Sequence, residues 1–220
     1  MQDAAAMREA AVARILAAAG TAIAARGRFL IVLAGGSTPR GVYESLRAAR
    51  SDWPAWHVYY GDERCLPVGD DARNSRMAAG AWLDHVPIPA GQIHAIPAEL
   101  GPTRGAARYA ELLGTVGDFD LVLLGLGEDG HTASLFPGHP LGDSAGAVDV
   151  LPVLDAPKPP PERVSLGARR LSRSAEVIFL VSGDDKRAAV AQWRSGAPIP
   201  ARAIAPDAGV DVIVEARSIG

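Results

Sequence analysis

Asp120-Leu-Val-Leu-Leu-Gly-Leu-Gly-Glu-Asp-Gly-His-Thr-Ala-Ser-Leu-Phe-Pro-Gly138 is the stretch whose reading decides the fold. Its apolar run, Leu121 to Leu124, has the length and branching of a buried parallel strand. The run breaks into Gly125, Gly127 and Gly130 and delivers His131 just beyond the strand's C-terminal end. In open α/β sheets that edge is where ligands sit. An imidazole can take or give a proton near neutral pH, and this one stands two residues from Asp129. The three glycines also match the spacing of a dinucleotide fingerprint. That fingerprint opens a long helix, whereas Pro137 and Gly138 arrive here within a few residues, so no nicotinamide cofactor is expected.

Outward from this stretch, strand–turn–helix units recur on both sides. Phe29 to Leu33 reads as a strand running into Gly35 and Gly36, with Ser37 and Thr38 as N-cap candidates and Pro39 in the first helical turn. Glycines let a backbone approach a ligand closely, and the free N–H groups of a helix start favour an anion. No Gly-Lys-Ser/Thr follows at P-loop spacing. Trp56 to Tyr60 reads as a second strand, with Asp62, Glu63 and Arg64 where it would leave the sheet. A polar loop over 69–76 contains Asn74 and precedes a helix from Met77 to Leu83. Ile93 to Ile96 reads as a short strand, and a helix is expected over about 103–113. Residues 4–26, alanine-rich with apolar residues at helical spacing, read as a helix packed on the sheet.

Downstream, residues 138–163 are proline-rich without a period and read as a long surface excursion. The run Pro159-Pro-Pro161 would stiffen the backbone ahead of Arg163. Val177 to Val181 is a further strand, followed by Ser182 to Asp185 and a helix whose first turn holds Lys186. A lysine there opposes the helix dipole, which makes sense if it points over the strand ends at an anion. Val210, Val212 and Val214 alternate with polar residues as a last strand. His57 reads as a packing residue, and His139 and Lys158 as solvated loop positions.

This alternation predicts a doubly wound, mainly parallel α/β sheet with helices on both faces, Rossmann-like, as a single domain over 1–220. The net charge of −3 advertises neither nucleic acid nor an acidic membrane surface as partner. The single cysteine, Cys65, excludes an intrachain disulfide and a Cys-based zinc site, and reads as a small apolar residue. Charges at Asp3, Arg8, Glu9, Arg14 and Arg26 interrupt every N-terminal apolar run, so a cytoplasmic location is expected. No metal-ligand set or cofactor motif is present. All strand ends share one edge in such a fold. Gly35 to Thr38, Asp62 to Arg64, Gly125 to His131 and Ser182 to Lys186 therefore meet there, describing a site for a phosphorylated polar metabolite and proton-transfer chemistry.

These motifs carry a resemblance. Gly35-Gly-Ser-Thr-Pro39, Asp62-Glu-Arg64, Gly127-Glu-Asp-Gly-His-Thr-Ala-Ser-Leu-Phe-Pro-Gly138, Pro159-Pro-Pro-Glu-Arg-Val164 and Gly183-Asp-Asp-Lys186 resemble the bacterial 6-phosphogluconolactonases in order and spacing. The resemblance implies hydrolysis of a phosphorylated sugar lactone, with His131 as general base, Asp129 orienting it and Arg64 holding the sugar acid or offsetting oxyanion charge. It further implies that Lys186, Arg163, Gly35, Gly36, Ser37 and Thr38 hold the phosphate, with Asp62 and Asn74 on sugar hydroxyls. The Arg73-Asn74-Ser75 order departs from the Ser-Asn order of many relatives. The related glucosamine-6-phosphate deaminases share Gly-Gly-Ser-Thr-Pro but place a glutamate five residues after the histidine, where this chain has Phe136. A non-catalytic sugar-phosphate sensor is the remaining alternative.

Overall fold

The computed structural model describes residues 1–219. Its elements alternate along the chain, beginning with helix α1 (Ala4–Arg26), strand β1 (Phe29–Leu33) and helix α2 (Ser37–Leu46). Strands β2 (Trp56–Tyr60) and β3 (Asp62–Arg64) follow, then α3 (Asn74–Ala81), β4 (Ile93–His94), α4 (Pro102–Leu113) and β5 (Phe119–Gly125). The last third holds β6 (Val150–Val153), β7 (Arg163–Leu166), α5 (Ala168–Ser172), β8 (Ser174–Val181), α6 (Arg187–Ser195) and β9 (Asp211–Val214).

Six strands form one wholly parallel sheet in the order β4-β2-β1-β5-β8-β9. From β1 the chain winds outward through β2 to β4, then reverses and winds the other way through β5 and β8 to β9. Right-handed crossovers in opposite directions place α2 and α3 on one face and α4 to α6 on the other. The α/β class with helices on both faces is thus as expected. The reversal leaves a crevice between the C-terminal ends of β1 and β5, and ligands bind at such switch points. Both strands are solvent-free: every residue of β1 is buried, as are Phe119 to Leu124 of β5. Central strands read as unbroken apolar runs for this reason. Asp120 interrupts that run, and its carboxylate accepts from the Leu30 amide at 2.8 Å and from Arg26, tying the start of β5 to β1.

Three sequence expectations need correcting. Asp62 to Arg64, expected only as the place where the second strand leaves the sheet, form a strand of their own, β3, which pairs antiparallel with β7, itself paired with β6, as a separate three-stranded sheet. The chain changes sheets at Gly61, whose amide donates to Leu33 and whose carbonyl accepts from Leu166. The proline-rich excursion over 138–163 contains β6 and ends in the buried Arg163, so it is in part a wall of the molecule. Finally, α2 begins at Ser37 itself: Gly36, at φ 103°, stands at the N-cap with no side-chain cap. Ser37 and Thr38 are helical residues rather than caps.

Candidate active site

A cavity of about 200 Å³ opens over the crevice between β1 and β5. The expected residues Gly35, Gly36, Ser37, Thr38, Asp62, Arg64, Asn74, His131, Arg163 and Lys186 all line it; Asp129 alone stands behind, against the imidazole.

His131 reaches the cavity because the turn after β5 is built around its ring. A Cβ on Gly127 would lie 2.0 Å from His131 Nδ1, so only glycine leaves room for the imidazole. Gly130 adopts φ 82° and abuts Ile199, where a Cβ would meet side-chain carbon at 2.6 Å. The glycine spacing that imitates a dinucleotide fingerprint therefore serves a tight turn. Asp129 Oδ1 sits 2.5 Å from His131 Nδ1 and also accepts the His131 amide at 3.2 Å. Burial alone would raise the Asp129 carboxyl, but the hydrogen bonds and charge of His131 outweigh it and hold Asp129 low. An ionised carboxylate only accepts, so the imidazole proton lies on Nδ1. Nε2 is left with its lone pair and no hydrogen-bond partner among the described residues. Burial depresses the His131 pKa, partly offset by Asp129, so the ring is neutral at pH 7. Phe136, fully buried, packs on it with ring centroids 4.7 Å apart.

The opposite wall is a helix start without a cap. The first-turn amides of Ser37 and Thr38 have no hydrogen-bond partner among the described residues, and both residues line the cavity. Uncapped amides and the helix dipole together attract an anion. Lys186 comes from the turn after β8, paired with Asp185 at 2.8 Å. Gly183, at φ 113°, is needed there because a Cβ would lie 2.3 Å from Asp185 Oδ1.

The floor is a buried polar network that sequence reading assigned only in part. Asp62 accepts from Ser134 Oγ at 2.6 Å and from Asn74 Nδ2 at 3.0 Å. Asn74 Nδ2 also donates to the Asp62 carbonyl, so its amide group is committed to the protein. Gly35 is glycine because a Cβ would lie 2.0 Å from Asn74 Oδ1. Arg163 gives Nε to Pro160 O and Nη2 to Lys158 O and Pro159 O; Nη1 makes only a 3.5 Å contact with Ser134 Oγ. Arg64 donates from Nη1 to Ala72 O, while its amide is fixed at 2.9 Å by Glu63. Glu63, fully buried, also accepts from the amides of Asn74 and Ser75 and from Ser75 Oγ, and lies 3.4 Å from the buried Arg73. It thus caps α3 and anchors β3 at once. Ser134 and Arg73, and the anchoring role of Glu63, escaped sequence reading because their partners are distant along the chain or their bonds are to backbone. Cys65 lines none of this, and burial pushes its thiol up to about 11, which does not suit a nucleophile.

A parallel sheet whose switch point brings together a carboxylate-held imidazole, a free helix start and a lysine defines an α/β protein with a polar, anion-suited site at that point. The family model for glucosamine-6-phosphate isomerases/6-phosphogluconolactonase matches residues 2–213, and the chain belongs to that family. Among curated proteins, it is 40% identical over 210 residues to the 6-phosphogluconolactonase of Mycobacterium leprae, covering 89% of this chain and 85% of the relative. It is 42% identical over 202 residues to that of Mycobacterium tuberculosis, covering 86% and 81%. The crystal structure of 6-phosphogluconolactonase from Thermotoga maritima superposes with a TM-score of 0.89 at 27% identity, covering 98% of this chain and 97% of the other. A monomeric glucosamine-6-phosphate deaminase shares the fold at 20% identity and a TM-score of 0.84.

Proposed function

We propose that the chain hydrolyses 6-phospho-D-glucono-1,5-lactone to 6-phosphogluconate, the second step of the oxidative pentose phosphate pathway. The observation that carries this reading is a neutral imidazole, held through Nδ1 by Asp129, at a cavity whose far wall offers free amides and a lysine. In this mechanism Nε2 of His131 takes a proton from a water as its oxygen attacks the lactone carbonyl. The tetrahedral oxyanion forms beside Arg64. Collapse breaks the bond to the ring oxygen, and His131 returns the proton to that oxygen as the ring opens. Assistance of this kind contributes about 10²–10⁴ in rate. Asp129 keeps the tautomer that leaves Nε2 basic.

Lys186 and the amides and hydroxyls of Ser37 and Thr38 take the phosphate, with Gly35 and Gly36 allowing close approach. Arg163 contributes through Nη1, the one guanidinium nitrogen not committed to a backbone carbonyl. Asp62 accepts from a sugar hydroxyl, and Asn74 acts by holding Asp62. A cytoplasmic location belongs to the same proposal. The deaminase alternative calls for an ionisable group where Phe136 stands buried against the catalytic ring. Acid release after adding the lactone to purified protein, against spontaneous opening, tests the reading; ammonia release from glucosamine 6-phosphate is the contrary outcome. Absence of both activities would favour the sensor reading.

A further inference from the structure

Away from the crevice, a second cavity of about 260 Å³ lies beneath the β4-β2-β1 side of the large sheet, closed by the segment that follows α4. His57 and Tyr59 project into it from one face of β2, and His94 from β4, where it is the register partner of Tyr59. The Tyr59 and His94 rings stack with centroids 4.5 Å apart at 18°, and His57 and His94 at 5.9 Å and 6°. Stacking occupies the ring faces and leaves the edges, with their N–H and O–H groups, for other contacts. His94 Nε2 is buried and has no hydrogen-bond partner among the described residues.

The lining of this cavity carries one fixed charge, the guanidinium of Arg28, which takes part in no ion pair among the described residues. Arg170, fully buried, donates to the carbonyls of Val116 and Gly117, two residues of the cavity wall, but its charge is balanced by Asp149 at 3.5 Å, which leaves Arg28 as the free cation. No carboxylate is among the lining residues. A water in the cavity could bond a ring edge but would offer Arg28 no counter-charge. We infer that this cavity is a second binding site, for a small oxyanion of the carboxylate or phosphate type, held by Arg28 and the ring edges of His57 and His94.

Burial and the charge of Arg28 keep His57 below its ordinary pKa, and burial and His57 do the same for His94. Arg28 and Tyr59 line the cavity with them and offer no negative charge at neutral pH, while Arg170 behind the wall is balanced by Asp149. An arriving anion reverses that balance, so its binding draws protons onto the imidazoles and tightens as pH falls.

The test is histidine-detected NMR on the full chain with 6-phosphogluconate present in excess, so that the cavity at His131 is filled; any shift it causes itself at His57 and His94 is recorded first and counts as anion binding there. Inorganic phosphate is titrated in one arm and succinate in the other. Saturable shifts at His57 and His94, with His131 unmoved, are expected, and the tighter arm identifies the anion type. Arg28→Gln, an exposed position, should weaken binding by about tenfold or more without changing lactone turnover. Unmoved His57 and His94 resonances in both arms, or an undiminished response in Arg28→Gln, would overturn the inference. The readout needs no turnover, and failure of 6-phosphogluconate to bind would show separately at His131.

Discussion

The 2.5 Å contact between Asp129 and His131 Nδ1 determines which ring nitrogen can act and at what pH. A base must be unprotonated, so kcat/KM should rise with pH and level off. Its midpoint should lie below the ordinary histidine value of 6.5, because burial depresses His131. Asp129 works in the other direction, stabilising the imidazolium. Asp129→Asn should therefore move the midpoint lower still while reducing the plateau rate, because the tautomer is no longer enforced. A pH–rate profile of both proteins checks this; a midpoint that rises in the variant would refute it. At this scale His131, Arg64 and Lys186 were legible because each sits next to a strand end that local pattern reveals. Ser134 was not: its hydroxyl matters through Asp62, 72 positions away, and no local spacing encodes that. Arg163 was found, but not the three carbonyls that hold it.

The elements carry the site through what their ends leave out. Helix α2 lacks a capping side chain and β5 ends in glycines, so donors and an imidazole face the same opening. Gly127→Ala is the sharpest test of the turn. Its Cβ would displace the imidazole, and misplacing a reacting group by about 1 Å can cost about 10²-fold. We expect kcat to fall by about that factor with circular dichroism unchanged, and wild-type turnover would contradict the packing. Gly130→Ala adds a left-handed backbone clash with Ile199 and should instead lower stability by about 1–3 kcal/mol, read from urea unfolding. The parallel strands were readable as apolar runs bounded by turns. The β3-β7-β6 sheet was not, because Asp-Glu-Arg carries no apolar alternation and its partners lie about a hundred residues on. Only tertiary pairing makes a strand of it.

Across the whole molecule, the reversal of winding between β1 and β5 creates the crevice, and the small sheet supplies its floor. One contiguous core of buried side chains runs from Met7 in α1 to Ile213 in β9, which supports the proposal that residues 1–220 form a single domain. Coincident thermal transitions by far- and near-ultraviolet circular dichroism would agree with it; two separated transitions would not. The Glu63–Arg73 pair links the small sheet to α3 with both side chains buried. Arg73→Met strips the buried Glu63 of its counter-ion and also breaks the 2.9 Å pair of Arg73 with Glu99, so it should cost about 3–5 kcal/mol in denaturant unfolding. A loss below 1 kcal/mol, on the order of a surface pair, would mean the pair holds little together. Fold class and strand-edge convergence follow from alternation and handedness, which are visible in a sequence. The floor of the site depends on contacts that only the folded chain makes.

The most direct measurement is the kinetics of 6-phospho-D-glucono-1,5-lactone opening by His131→Gln, paired with calorimetric binding of 6-phosphogluconate. Loss of about 10²–10⁴ in kcat, with product affinity near that of the unaltered chain, is the predicted result. Turnover within a few-fold of the unaltered chain would contradict a proton acceptor at residue 131 and with it the proposed chemistry.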